Sequence, residues 1–179
     1  MPAKKQITRD MILRAALKLL REQGYEAVNI RRLAQELGCS TQPVYLSFSG
    51  MDELRAALIP AAVASFEAYM TGGMARLYDM SYIRFAKDEP HLFCFLFMRA
   101  NAFSEIKRVL MPLIERSIQE LMGRYGISRE EADLLHDQLW MHAHGIASMV
   151  STDFCDWNME KVHRMLAGCK RVFTEKYEA

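Results

Sequence analysis

Long apolar runs are missing from this chain. The longest cluster in its 179 residues, Leu92 to Met98, is far short of the roughly 20 apolar residues that cross a bilayer, so no membrane partner is expected. The opening residues, MPAKKQITRD, carry charge without an apolar core. They do not read as a secretory signal, and the cytoplasm is the expected compartment. Cysteine is sparse and scattered: Cys39, Cys94, Cys155 and Cys169 form no CxxC pair, which points to reduced thiols rather than a disulfide frame. No two of the five histidines stand four apart, so neither a metal site nor a cofactor is expected. A glycine-rich phosphate loop and a paired nucleophile and base are also missing, which argues against an enzyme. Strand signals are nearly absent too. There is no Asn-Gly or Asp-Gly hairpin turn and no sustained alternation, whereas apolar residues recur at helical spacing. The expected class is all-α.

Charge of either sign is close to balance, at a formal +1, but it is unevenly placed. Eight of the 23 Lys/Arg lie in the first 50 residues, against four of the 22 acids. A basic first third on a mildly acidic remainder suits a head that meets a polyanion and a body that does not.

Cap residues and glycines set out the helices. Thr8 caps a first helix that Gly24 ends, with Ile12, Ala15, Ala16, Leu19 and Leu20 as its inward stripe. Asn29 caps a second, carrying Ile30, Leu33, Ala34 and Leu37, and Gly38 stops it. Ser40 is expected to cap a third, with Pro43 in its first turn, where the missing N–H costs nothing. Val44 and Phe48 would pack that helix back on the first two. A fourth follows Ser49-Gly50 and reaches about Met70. Beyond Thr71-Gly72-Gly73, the run MARLYDMSYIRFAKDE reads as an amphipathic helix ending before Pro90. Further helices are expected over HLFCFLFM, from Glu105 to Met122 with a bend at Pro112, from Arg129 to Val150 behind a Ser128–Glu131 capping box, and from Asp156 to Lys176.

Two short helices joined by Gly38-Cys39-Ser40 make a helix-turn-helix, which can present its second member to the major groove. The features ILRAALKLLREQGYEAVNIRRLAQELGCS, VYLSF and MDEL resemble the TetR/AcrR family of transcriptional regulators over about residues 7 to 60. More faintly, YIRFAKDEPHLFCFLF and WMHAHG resemble the carboxy-terminal segments of one branch of that family, with its Trp and His-Gly elements. The resemblance implies an amino-terminal three-helix DNA-binding domain over 1–50 and a helical ligand-binding and dimerisation bundle over 51–179.

On that reading, Thr41 and Gln42 stand at the amino end of the recognition helix. Gln42 can pair with adenine, and Thr41 can meet a base edge or a thymine methyl. Tyr45 matches the family's phosphate-binding tyrosine. Ser40, Ser47, Arg31 and Arg32 are expected to contact the backbone, and Lys4, Lys5 and Arg9 to form an arm at the groove edge. Met51 stands where a lysine often contacts phosphate, and the N–H groups that open the fourth helix are the substitute. Leu46 replaces a residue that is usually polar.

The body is rich in methionine and aromatic side chains, which suit a loosely selective pocket. Met74, Tyr78, Tyr82, Phe97, Phe103, Trp140 and His142 are the expected ligand contacts. Leu135, Leu139, His142, Ile146, Met149, Val162, Met165, Leu166 and Val172 are candidates for a seam between two copies, although the same residues must also close each core. The expected partners are therefore double-stranded DNA with a roughly palindromic operator, a small-molecule effector and a second copy of the chain. The expected function is a repressor released by its effector. The alternative is a DNA-binding regulator whose body only dimerises or binds a protein.

Overall fold

The structure, a computed structural model, describes residues 6–70 and 76–178. Within them it is all-α, with no strand. The helices are α1 (Arg9–Gln23), α2 (Ile30–Leu37), α3 (Gln42–Ser47), α4 (Met51–Tyr69), α5 (Met80–Asp88), α6 (Pro90–Phe97), α7 (Ala102–Tyr125), α8 (Arg129–Ser151) and α9 (Met159–Thr174). Packing divides the chain into two compact units, Met1–Ser65 and Phe66–Ala179.

In the first unit the expected signals place α1 and α2. The Met11 N–H donates to the Thr8 hydroxyl at 3.3 Å, and the Arg32 N–H donates to Asn29 Oδ1 at 3.1 Å. Each cap satisfies one of the donors that the first turn of a helix leaves without an intrahelical partner. Gly38 takes the left-handed conformation, φ 63°, that lets α2 stop and the chain turn, a region disfavoured for residues bearing a Cβ. Ile12, Leu19, Leu20, Leu33, Val44 and Phe48 close a small core.

The start of α3 differs from expectation. Thr41, not Ser40, occupies the cap position, and no side chain bonds there. Thr41 already has helical dihedrals, so the hydroxyl geometry of an extended cap residue is not available. The packed unit also runs past residue 50, because the opening of α4 is tied back. Arg9 donates to Glu53 Oε1 at 2.9 Å, and the N–H and hydroxyl of Ser49 donate to Glu53 Oε2 at 2.8 and 2.9 Å.

In the second unit, α8 is the central helix, with α5, α7 and α9 against it. Its amino end carries the full Ser128–Glu131 capping box. Phe66, Tyr82, Phe85, Phe93 and Phe97 fill the space beside it with tilted and edge-on ring pairs. Phe66 and Phe85 are 5.2 Å apart at 64°, and Phe66 and Phe97 5.3 Å apart at 73°. Such geometry places the positive ring edge on a negative ring face.

Three expectations shift in this unit. The α5 helix begins only at Met80, because Asp79 before it is extended (φ −102°, ψ 171°). The α9 helix begins at Met159 rather than Asp156, because Asn158 Oδ1 accepts the Lys161 N–H at 2.8 Å and sets the start there. The α7 helix starts earlier than expected, at Ala102, and runs on through Pro112. The expected seam residues Leu135, Leu139, Ile146 and Val162 are buried within the unit. Met149 and Val172 of that expected seam do face outward, and Leu134, Met141 and Phe154 are exposed as well.

Candidate DNA-reading surface and body cavity

On the first unit, α3 is six residues long and is held by Val44, which is buried, and by Phe48 just after it. With Val44 inward, residues three and four apart on the other side share an outward face. Gln42, Tyr45 and Leu46 occupy it; Tyr45 is 60% exposed and Leu46 81%. Thr41 and Ser47 are half-buried at its edges, and Ser40 is exposed in the preceding turn. The Ser47 carbonyl accepts from Arg9. Arg31 and Arg32 are exposed at the start of α2, where Arg32 donates to Gln23 Oε1 at 2.6 Å. The unit thus exposes hydrogen-bonding groups on α3 and cations on α2, the two kinds of contact a duplex takes up.

The α4 start is electrostatically different. Asp52 and Glu53 lie in its first turn. Bonds from the Ser49 backbone and hydroxyl, then from Arg9, hold the Glu53 carboxyl below its ordinary pKa. The Ser49 N–H is already spent on Glu53. Two carboxylates therefore stand where N–H groups were expected to receive phosphate.

In the second unit a cavity of about 330 Å³ lies among α6, α7 and α8. Leu96 and Phe97 come from α6, Phe103, Ile106 and Leu110 from α7, and Trp140, Met141, His144 and Gly145 from α8. Its size is at the small end for ligand pockets. Behind it, the Tyr82 hydroxyl and His144 Nδ1 are 2.9 Å apart. Burial pushes the Tyr82 phenol far above its ordinary pKa and the His144 imidazole below its own. A second buried chain lies deeper, where Ser117 Oγ donates to the Tyr78 hydroxyl at 3.1 Å and sits 2.9 Å from His136 Nδ1.

Residues 12–58 match the model of the tetR family of bacterial regulatory proteins. That match spans the helix-turn-helix segment and the start of α4. Solved structures of that family share the chain's fold. A putative TetR-family transcriptional regulator from Vibrio parahaemolyticus is 18% identical, with 92% of this chain and 97% of that one covered, at a TM-score of 0.60. A TetR-family transcriptional regulator from Streptomyces coelicolor is 19% identical over 96% and 95%, at 0.56. A TetR variant from Acinetobacter baumannii in complex with minocycline is 18% identical over 97% and 99%, at 0.52. No curated protein matches the chain.

Of the residues expected to touch DNA, Gln42, Tyr45, Ser40, Arg31 and Arg32 are exposed on the first unit, and Thr41 and Ser47 are half-buried. Leu46 joins the Gln42–Tyr45 face, and its spacing from Gln42 was the signal for it. Lys4 and Lys5 lie outside the described residues, whereas Arg9 is engaged with Glu53 and Phe48. Of the expected ligand contacts, Phe97, Phe103 and Trp140 line the cavity. Tyr82 stands behind it through His144, and Tyr78 belongs to the Ser117–His136 chain. His142 does not line it, and its Nε2 is buried without a partner among the described residues. Met74 lies outside the described residues. Sequence reasoning passed over His144. Its spacing of four from Trp140 puts the two side chains on one face, which His142 does not share.

Proposed function

We propose that this chain is a TetR-family transcriptional regulator, a homodimeric repressor that an effector releases from DNA, with residues 1–50 reading the operator and 51–179 binding the effector and the second copy. The observation that carries the DNA role is the shared outward face of Gln42 and Tyr45 on α3. Gln42 offers a bidentate partner for adenine, Tyr45 a hydroxyl for phosphate, and Arg31 and Arg32 charge for the backbone. Ser40, Thr41 and Ser47 flank them as further contacts.

The cavity between α6, α7 and α8 supports an effector site, and a protein of similar fold was solved in complex with minocycline. Thermodynamic linkage sets the requirement. The effector must bind the DNA-free form more tightly by the same factor as it weakens the operator complex. Outward Leu134, Met141, Met149 and Val172 on α8 and α9 supply apolar surface for a second copy. Two-fold pairing of heads then demands a roughly palindromic site. The same outward residues also favour a second reading, in which the body only pairs with another chain.

Fluorescence polarisation on duplexes from upstream of the protein's own gene tests the proposal. The expected result is binding by two chains per site that weakens steeply with salt and exceeds binding to a scrambled duplex. Equal binding to both duplexes would remove the operator reading. Specific binding that no cavity ligand perturbs would favour the second.

A further inference from the structure

The lining of the α6–α7–α8 cavity is selective. Among the described residues that form it there is no Lys, Arg, Asp or Glu. A carboxylate or ammonium entering such a space would leave water without a counter-charge, which is strongly unfavourable. Leu96, Ile106 and Leu110 give aliphatic wall, and Phe97, Phe103 and Trp140 give flat faces. Phe103, on α7 and outside the proposed seam, is 44% exposed, so the cavity has an approach from solvent.

One polar group in that lining has a fixed role. Tyr82 is fully buried, and its hydroxyl has His144 Nδ1 as neighbour at 2.9 Å. The Trp140 indole N–H leans toward the Tyr82 oxygen without reaching bonding geometry. If Nδ1 carried the imidazole proton, the buried Tyr82 O–H would have no acceptor there, a cost that folded proteins avoid. The Tyr82 O–H therefore donates to Nδ1. The proton of the neutral ring then sits on Nε2, the nitrogen not engaged by Tyr82. Burial keeps that ring neutral near pH 7. The cavity is thus an apolar slot with an imidazole N–H donor at its wall.

We infer that this cavity takes an uncharged, flat apolar molecule carrying one hydrogen-bond-accepting oxygen, such as a carbonyl, which His144 Nε2–H recognises. The inference rests on the effector-site reading above and names the chemistry of that site's ligand. Anionic and cationic analogues of the same shape are excluded by the lining, and a pure hydrocarbon fits but lacks the hydrogen bond.

Equilibrium dialysis of the full chain at pH 7.5 tests this with matched probes at two sizes: benzamide against benzoate, and naphthalene-2-carboxamide against 2-naphthoate, with 2-methylnaphthalene as the hydrocarbon. The expected result is that at least one carboxamide binds about tenfold or more tightly than its carboxylate. His144→Phe should reduce that carboxamide to the level of the hydrocarbon and leave the hydrocarbon unchanged. Ile106→Trp, which fills the cavity, should abolish both. Carboxylate binding equal to or tighter than carboxamide, equal loss of carboxamide and hydrocarbon in His144→Phe, or no binding of any probe would each overturn the inference. The wild-type probe series decides the charge selectivity even if a variant fails to fold. DNA release is read separately by polarisation. Selective carboxamide binding without any effect on the operator complex would sink the release reading and leave this one standing.

Discussion

The guanidinium of Arg9 lies 4.0 Å from the centre of the Phe48 ring, and the same group donates to Glu53 Oε1 at 2.9 Å. One side chain at the start of α1 thus covers the residue that ends α3 and grips the first turn of α4. Arg9→Gln removes the cation over the ring, a contact worth about 0.5–1 kcal/mol at an exposed site. The expected outcome is a lower urea midpoint for the first unit, followed by amide exchange at Phe48. An unchanged midpoint would mean the contact is not formed in solution.

The outward face of α3 separates affinity from sequence choice. Tyr45→Phe should weaken all duplexes by a similar factor, because a phosphate contact carries no base information. Gln42→Ala should relax the preference at one base pair per half-site, by about 1–3 kcal/mol. Polarisation against a set of single-position operator variants distinguishes the two. A Gln42→Ala protein with an unaltered preference profile would take that residue out of base reading.

At Gly38 the backbone has φ 63°, and a Cβ there would meet nothing within 4 Å. The cost of Gly38→Ala is therefore backbone strain alone, about 1–2 kcal/mol. A comparable loss should appear in chemical denaturation of the first unit. A neutral substitution would show that the turn relaxes to another conformation.

Such cap and turn signals were the most legible in the sequence, because each rests on one or two residues acting locally. Asn29, Gly38 and the Ser128–Glu131 box state where a helix begins or ends whatever packs around it. The opening of α3 was misread because Ser40 and Thr41 are both competent caps, and only the geometry of the turn decides between them. The α5 start was misread because the pattern before Asp79 has helical spacing, while the extended backbone there is a tertiary outcome. In the cavity, Phe97, Phe103 and Trp140 were visible as large apolar side chains. The roles of Leu96, Ile106, Leu110 and His144 depend on how α6, α7 and α8 meet, which periodicity within one helix does not encode. Division of the α8 and α9 positions between core and outward surface was illegible for the same reason.

Acid should weaken the second unit through its interior imidazoles. His136 is 0% exposed, and burial holds it and His144 below the ordinary histidine pKa. A depressed base binds fewer protons folded than unfolded. Its contribution is therefore complete above about pH 6.5 and is lost as pH falls below that, toward the folded pKa. Urea midpoints of the second unit should drop between pH 7.5 and 5.5, and His136→Gln should flatten the slope. A midpoint rising toward pH 5.5 would contradict the burial argument.

With only six residues, α3 has too few turns to hold its shape in water by itself. Its conformation is borrowed from the neighbours that Val44 and Phe48 grip. Warming or a mild denaturant that loosens this small grip should blur operator choice while far-ultraviolet dichroism, dominated by the longer helices, hardly moves. The regulator would then go illiterate before it melts.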